Sequence, residues 1–360
     1  MLLTAAPTPD RSAGRRYLAL VEGARRGPLT GLLRFVLWVA SLFYGVVVRL
    51  RNLTYARGWK RSFRVAVPVV SVGNLTLGGT GKTPCVEYVA DFYRRRDVRV
   101  AILSRGYGSE DGGLNDEGLV LSENLPDVPP LQGADRVALA HTAIEELESE
   151  ILILDDGFQH RRLARDLDIV LIDATAPWGH GYLLPRGLLR EPPSSLRRAG
   201  AVVLTRCDQV GADELVALRQ RIAQLARGIT VAETEHRALE LINENATAEL
   251  ALLPDRPVAA FCGLGNPEAF RRTLSDLGAV LTDFQVFPDH HAYTRADVER
   301  LRCWAGTQPA DAVIVTTQKD LVKLRLRELA ARPLWAVRIR LAFRAGQMDL
   351  DALLERVLPR

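Results

Sequence analysis

A chain of 360 residues, 48% apolar and 25% charged, has the material for about two packed cores, which excludes disordered, collagen-like and disulfide-stapled miniature classes. Its net charge is only +4 and no compact basic block with interleaved aromatics appears, so no nucleic-acid partner is expected. The four cysteines stand apart with neither metal-knuckle nor disulfide spacing, as in a reducing compartment.

Residues 1–28 carry no strong period. Over the first 61 residues, eleven Arg and Lys face only Asp10 and Glu22, an asymmetry suited to an anionic membrane surface. Phe35 to Val48 is a run of 14 uncharged residues between Arg34 and Arg49. That is short of the roughly 20 that cross a bilayer. On a helical wheel Thr30, Arg34, Ser41, Gly45, Arg49 and Asn52 share one narrow stripe, and Leu, Val, Phe and Tyr fill most of the rest. The pattern predicts an interfacial, membrane-associated helix over about 29–52, with a helix packed on the protein's own core as the alternative.

Val67, Val69, Val70 and Val72 form a β-branched run that leads into Gly78-Gly79-Thr80-Gly81-Lys82-Thr83, after which Val86, Val89, Ala90 and Tyr93 recur at helical spacing. Strand, glycine loop and helix in this order make a phosphate cradle. Backbone N–H groups and the positive helix end hold the phosphates, Lys82 neutralises the terminal ones, and Thr83 can ligate Mg²⁺. Thr76, Leu77, Gly78, Gly79, Thr80, Gly81, Lys82 and Thr83 are therefore the candidate nucleotide-binding residues, although Thr76 stands where the general pattern has glycine.

Val98 to Leu103 reads as a strand ending in Ser104-Arg105-Gly106-Tyr107-Gly108. A polar, glycine-rich loop follows through Gly133, containing Asn115-Asp116-Glu117, whose adjacent carboxylates are candidates for proton transfer. Asp135 to Leu147 reads as a helix, and Ile151 to Leu154 as a buried strand ending in Asp155-Asp156-Gly157-Phe158-Gln159-His160. An aspartate at the carboxyl end of a strand beside a phosphate loop can hold Mg²⁺ directly or through water, a role assigned to Asp155. Ile169–Ile172 and Ala201–Leu204 are further strands, separated by a Gly/Pro/Arg-rich loop from Pro177 to Pro193, and a helix from about Asp213 to Arg227 follows. After Ile229 the α/β alternation resumes, with strands near 258–262, 279–284, 312–315 and 334–339. Gly263-Leu264-Gly265 lacks the third glycine of a dinucleotide fingerprint, and Asn266-Pro267 reads as a helix cap and first turn.

The fold expected is α/β: a P-loop NTPase-like parallel sheet domain with the membrane-associated helix over residues 1–228, a smaller α/β domain over 229–345, and a C-terminal helix over 346–360 that returns toward the core. One feature points to another class. Thr205-Arg206-Cys207-Asp208 follows a strand where GTPases and nucleotide-switched metallochaperones carry a guanine reader, with arginine in place of its lysine.

Taken in order, several motifs resemble the tetraacyldisaccharide 4'-kinases of lipid A biosynthesis. They are Ser71-Val72-Gly73-Asn74-Leu75-Thr76 leading into Gly78 to Pro84, Ser104-Arg105-Gly106-Tyr107-Gly108, Asp155 to His160, Leu189-Arg190-Glu191-Pro192, Phe287-Pro288-Asp289-His290-His291 and Thr316-Thr317-Gln318-Lys319-Asp320. The resemblance implies an ATP- and Mg²⁺-dependent kinase with two lobes and the active site between them. Such a kinase phosphorylates the 4'-hydroxyl of a lipid-linked disaccharide 1-phosphate to give lipid IVA at the cytoplasmic face of the bacterial inner membrane. Carried over residue by residue, it implies Asp116 as the base, His290 as its support and Lys82 on the phosphates, with Thr83, Asp155, Asp156 and Glu117 around the metal. Asn74, Arg105, Tyr107, Arg190 and Glu191 are the implied substrate contacts. Gly118 departs from an expected proline, Arg186 and Leu188 from a small residue and proline, and Gln318 from glutamate.

Overall fold

The computed structural model describes residues 17, 20, 21, 23, 27–106 and 113–359. Its strands are β1 (Val69–Asn74), β2 (Val100–Ser104), β3 (Pro130–Gln132), β4 (Ile151–Asp155), β5 (Leu167–Asp173), β6 (Ala201–Thr205), β7 (Thr230–Asn243), β8 (Ala246–Ala248), β9 (Pro257–Cys262), β10 (Val280–Val286), β11 (Val313–Thr317), β12 (Glu328–Leu329) and β13 (Arg332–Ala345). They form one sheet in the order β10-β9-β11-β13-β7-β6-β5-β1-β4-β2-β3, with β8 and β12 at its flanks. The long helices are α1 (Pro28–Ala56), α2 (Lys82–Arg94), α3 (Asp116–Asn124), α4 (Arg136–Glu145), α5 (Ala212–Leu225), α6 (Pro267–Asp276), α7 (Arg295–Thr307), α8 (Gln318–Leu324) and α9 (Gln347–Glu355).

Every residue of β1, β2, β4 and β6 is buried, as central strands of a parallel sheet covered on both faces require. On one face Val86, Val89, Ala90 and Tyr93 of α2 meet Val70, Val72 and Ile102. Leu350 and Leu354 of α9 join the same cluster, and the Tyr93 hydroxyl donates to the Leu354 carbonyl at 2.9 Å. On the other face Leu215, Leu218 and Ile222 of α5 cover Val170, Ile172 and Leu204. Each such side chain contributes about 1.5–3 kcal/mol by leaving water, so β1 and the loop it feeds stand on a stiff support.

Three expectations change. Strands β1 to β6 pair in parallel as expected, but the sheet does not end with them. β7 pairs with β6 in parallel through Ala201 to Leu204 and then runs antiparallel to β13 over residues 233–242, so a long ribbon continues the sheet into the 229–345 region. Five consecutive polar residues, Glu233-Thr234-Glu235-His236-Arg237, interrupt the apolar pattern from Thr230 to Asn243, and that hid the strand. Second, the loop expected after β2 contains a helix. Asn115 caps α3 by accepting from the Gly118 N–H at 2.9 Å, and Asp116 and Glu117 sit in its first turn, where the helix dipole favours negative charge. A proline at 118 could not donate that bond, so Gly118 gives the turn a different cap from the one a proline would allow.

Third, α1 is a continuous 29-residue helix, long and apolar enough by length and composition to cross a membrane. The flanks of the apolar run are held by the protein body, and Arg34 donates to the Leu20 carbonyl at 2.9 Å. Arg51 donates to the Gln159 carbonyl at 2.5 Å, and Asn52 donates to Glu191 at 2.8 Å. The buried positions of α1 are Ser41, Gly45 and Val48, so it is the narrow stripe that faces inward. Leu32, Phe35, Trp38, Leu42, Phe43, Val46, Val47 and Leu50 point outward instead of packing on a core.

Candidate active site

The phosphate loop leaves the carboxyl end of β1 and is braced from behind by side chains that occupy its carbonyls. The Thr205 hydroxyl donates to the Thr80 carbonyl at 2.9 Å, and Arg206 donates to the Gly79 carbonyl at 2.8 Å while pairing with Asp173. Asn74, fully buried, donates to the Thr80 hydroxyl at 3.0 Å. Thr76 bridges to Leu189, and the Leu77 N–H donates to the Leu188 carbonyl at 2.8 Å. At Gly81, φ is +82° and an added Cβ would lie 2.3 Å from Nε2 of His236 on β7, so both backbone and space exclude a side chain. Burial, with Arg206 second, lowers the His236 pKa to about 4 and keeps the ring neutral.

The open side of the loop fits a polyphosphate. A Cβ at Gly78 or Gly79 would meet nothing within 4 Å, and the first-turn N–H groups of α2 have no intrahelical acceptor. Lys82 lies 3.7 Å from Asp156, which Arg190 also holds with contacts of 2.9 and 2.8 Å. Asp155 is buried, and its Oδ1 has no hydrogen-bond partner. Burial, then the Glu117 carboxylate, push its pKa upward against the pull of Lys82. A buried carboxylate with an orphan oxygen beside a second carboxylate is unfavourable until a cation arrives. This is the donor chemistry of a hard divalent ion, with the buried Thr83 in the same turn as Lys82. Among the described residues no three His, Cys, Asp or Glu side chains form a metal cluster by themselves, so phosphate oxygens and water have to complete the shell.

Asp116 and Glu117, at the start of α3, meet residues from the far part of the chain. His290 Nδ1 and Lys323 Nζ each lie 3.1 Å from Asp116 Oδ2, and Lys319 Nζ lies 3.1 Å from Glu117 Oε1. Burial pushes the Asp116 pKa upward, but the His290 hydrogen bond and the Lys323 ammonium outweigh it and hold the carboxyl below its usual range. Glu117 is also lowered: burial raises it, and Lys319 and Lys82 more than reverse that. The bond to Asp116 in turn raises the His290 pKa. His290 has φ of +52°, in the left-handed region that few non-glycine residues enter and histidine enters more readily than most. Gln318 donates to Asn124 at 2.8 Å across the same seam. A glutamate there would have no N–H to offer Asn124.

Of the remaining candidates, Arg105 is exposed beyond β2 and Tyr107 lies outside the described residues. Glu191 does not face the open site. Its side chain is 1% exposed, binds Arg198 through two contacts of 2.8 Å and accepts from Asn52. It therefore ties α1 to the loop before β6. Arg198→Met, which leaves that carboxylate buried and unpaired, is expected to lower unfolding free energy by about 3–5 kcal/mol in urea titrations. An unchanged midpoint would mean that Glu191 finds other partners.

Sequence reasoning passed over Lys323, took Arg206 only as part of a possible guanine reader, and quoted Lys319 without a role. Lys319 and Lys323 sit four residues apart, hence on one face of α8, which was a readable signal once that helix was drawn. Arg206 braces the loop in the position first read as part of a guanine reader. Nothing local marked His236.

The chain was compared with known proteins. The family model described as tetraacyldisaccharide-1-P 4'-kinase matches residues 33–359. A protein of Anaeromyxobacter sp. (strain K) named tetraacyldisaccharide 4'-kinase is 42% identical over 358 residues, covering 93% of each chain. One of the same name from Syntrophus aciditrophicus is 42% identical, covering 83% of this chain and 86% of its own. Among solved structures, LpxK from Aquifex aeolicus in complex with ATP matches with a TM-score of 0.72 at 33% identity, over 91% of this chain and 99% of that one.

Proposed function

Since the chain belongs to the tetraacyldisaccharide-1-P 4'-kinase family, we propose that it moves the γ-phosphoryl group of ATP to the 4'-hydroxyl of a tetraacyldisaccharide 1-phosphate, forming lipid IVA. It is an ATP-dependent kinase of lipid A biosynthesis. Lys82 and the first-turn amides of α2 hold the phosphates. Thr83 and Asp155, with Glu117 and Asp156 near, would hold Mg²⁺, which would supply charge neutralisation at the transferred group. Asp116 takes the hydroxyl proton while the sugar oxygen bonds to phosphorus and the bond to the ADP oxygen breaks. His290 steadies Asp116, and Arg105, Arg190 and Tyr107 are the acceptor contacts. A sugar hydroxyl is a poor nucleophile, and alignment with charge neutralisation does most of the work in phosphoryl transfer. The observation that carries this reading is the 3.1 Å contact of His290 with Asp116, groups 174 residues apart that meet next to Glu117, whose carboxylate feels Lys82 of the phosphate loop and faces Asp155. Family membership over residues 33–359 leaves no ground for a nucleotide-switched binding protein.

Residues 1–228 with 346–360 act as one lobe and 229–345 as the other, joined by the β7–β13 ribbon, and closure makes the Asp116 and Glu117 contacts. The test offers purified protein ATP, Mg²⁺ and the disaccharide 1-phosphate lipid, and locates the new phosphate by mass spectrometry. A phosphate at any position other than 4' removes the reading.

The acceptor's acyl chains stay in a bilayer, so the enzyme meets it at the cytoplasmic face of the inner membrane, and α1 is the contact. Its outward apolar face gains about 25 cal/mol per Å² buried, and nearby arginines add about 1 kcal/mol each at anionic lipid. Trp38, Leu42 and Val46 follow one line of this face. Changing all three to aspartate, at about 3 kcal/mol each for burying a carboxylate deep in a bilayer, should release the protein from anionic vesicles. The apparent KM for lipid rises while ATP affinity stays within about two-fold, because these three side chains point outward from the protein body. Undiminished vesicle binding by a folded triple variant would place membrane access elsewhere.

A further inference from the structure

Lys323 is absent from the machinery above, yet it stands between two carboxylates. Its Nζ lies 3.1 Å from Asp116 Oδ2 and 3.4 Å from Asp320 Oδ1, with its side chain 11% exposed and that of Asp320 fully buried. Asp320 is itself immobilised from three sides. Its Oδ2 accepts from the Gly263 N–H at 2.9 Å and the Thr317 hydroxyl at 2.6 Å, and its Oδ1 accepts from the Tyr293 hydroxyl at 3.0 Å. The Tyr293 ring also lies 5.4 Å from the Lys323 ammonium. The cation is thus anchored at a point where a flexible four-carbon side chain would otherwise wander.

Its approach to Asp116 has a direction. His290 and Lys323 both contact Oδ2, so Oδ1 is the oxygen presented to an acceptor hydroxyl. A carboxylate held by one contact can rotate about its Cβ–Cγ bond and exchange its oxygens. Held by two groups from different elements, it keeps one oxygen in register. His290 meets Asp116 and not Asp320, so it does not balance the charge that Asp320 brings into the seam, whereas Lys323 meets both.

We propose that Lys323, anchored by Asp320, is a positioning residue for Asp116, fixing Oδ2 so that Oδ1 is aimed at the acceptor hydroxyl. The proposal rests on Asp116 being the base. Its rival is that Lys323 merely neutralises buried Asp320, in which case its loss acts on stability and independently of Asp116.

The experiment measures kcat and both KM values, with ATP–Mg²⁺ and the tetraacyldisaccharide 1-phosphate in mixed micelles, for full-length Lys323→Met, Lys323→Arg, Asp116→Asn and the Met/Asn double variant. Misalignment by about an ångström predicts a 10- to 100-fold fall in kcat for Lys323→Met, with both KM values within about two-fold. Lys323→Arg restores most of the loss. On the Asp116→Asn background the Lys323→Met change costs less than about three-fold, since a group that acts through another has nothing left to act on. A multiplicative double variant, an unchanged kcat in Lys323→Met or a loss confined to KM overturns the proposal while leaving Asp116 as the base. Near-normal kcat in Asp116→Asn instead overturns the base reading, and this inference with it. Should Lys323→Met fail to fold, Tyr293→Phe, which removes only one hydroxyl from the Asp320 support, shows the same split with a loss of about three- to ten-fold, and an unchanged kcat there counts against the proposal.

Discussion

Lys82→Ala is expected to lower turnover by at least about 10³-fold in a protein that stays folded. The side chain begins the first turn of α2 but contributes nothing to the core. Its recorded contact is a 3.7 Å ion pair with Asp156, and Arg190 holds the same carboxylate more closely. The helix is anchored instead by Val86, Val89, Ala90 and Tyr93. What is lost is the cation that faces Asp155, Asp156 and Glu117, each of which feels its charge. Without it, negative charge accumulating on the transferred phosphoryl group meets three carboxylates with one less counter-charge. Alanine cannot replace that, and a metal ion alone then has to do so. Single-turnover transfer from labelled ATP measures the effect, with circular dichroism and melting temperature confirming the fold. Near-normal transfer by a folded Lys82→Ala protein would take this loop out of the reaction.

Asp116→Asn is expected to reduce kcat by about 10²- to 10⁴-fold with ATP binding preserved. Asparagine keeps the size of the side chain, and its carbonyl oxygen can still meet His290 and lie against the Lys323 ammonium, so the seam between α3 and α8 remains. Proton acceptance disappears. In the native protein the His290 hydrogen bond and the Lys323 ammonium outweigh the effect of burial and hold the Asp116 carboxyl below its usual range, so it is ionised at neutral pH and ready to accept. Equilibrium ATP binding measured beside turnover separates the roles. If binding is lost in step with transfer, Asp116 belongs to the metal or the framework rather than to the proton.

Much of this was legible in the chain because it rests on local chemistry. A β-branched run, four small residues and an amphipathic turn make a phosphate loop wherever they occur in that order, since glycine conformations and helix dipoles are set over a few residues. Asp155 was readable for the same reason, as the residue that ends a buried strand. By contrast, Asn115-Asp116-Glu117 looked like loop because a nine-residue helix with a glycine in its first turn has too little periodicity to declare itself. The polar stripe of α1 was seen correctly, but its direction was not. A wheel gives the angular arrangement of side chains and says nothing of which side meets a partner, and here the partner is the loop from Leu183 to Glu191.

The sequence by itself determined the nucleotide cradle, the alternation of strand and helix, and the family to which the motifs point, all of which are encoded within runs of about 30 residues or in the order of such runs. Tertiary structure alone settled that one sheet continues through an antiparallel ribbon, that Glu191 accepts from Asn52 of α1, and that Asp116 receives His290 and Lys323 on a single oxygen. The physical reason is separation along the chain. Those contacts join residues up to about two hundred positions apart, and whether two such side chains meet depends on the packing of every element between them, which no local pattern carries.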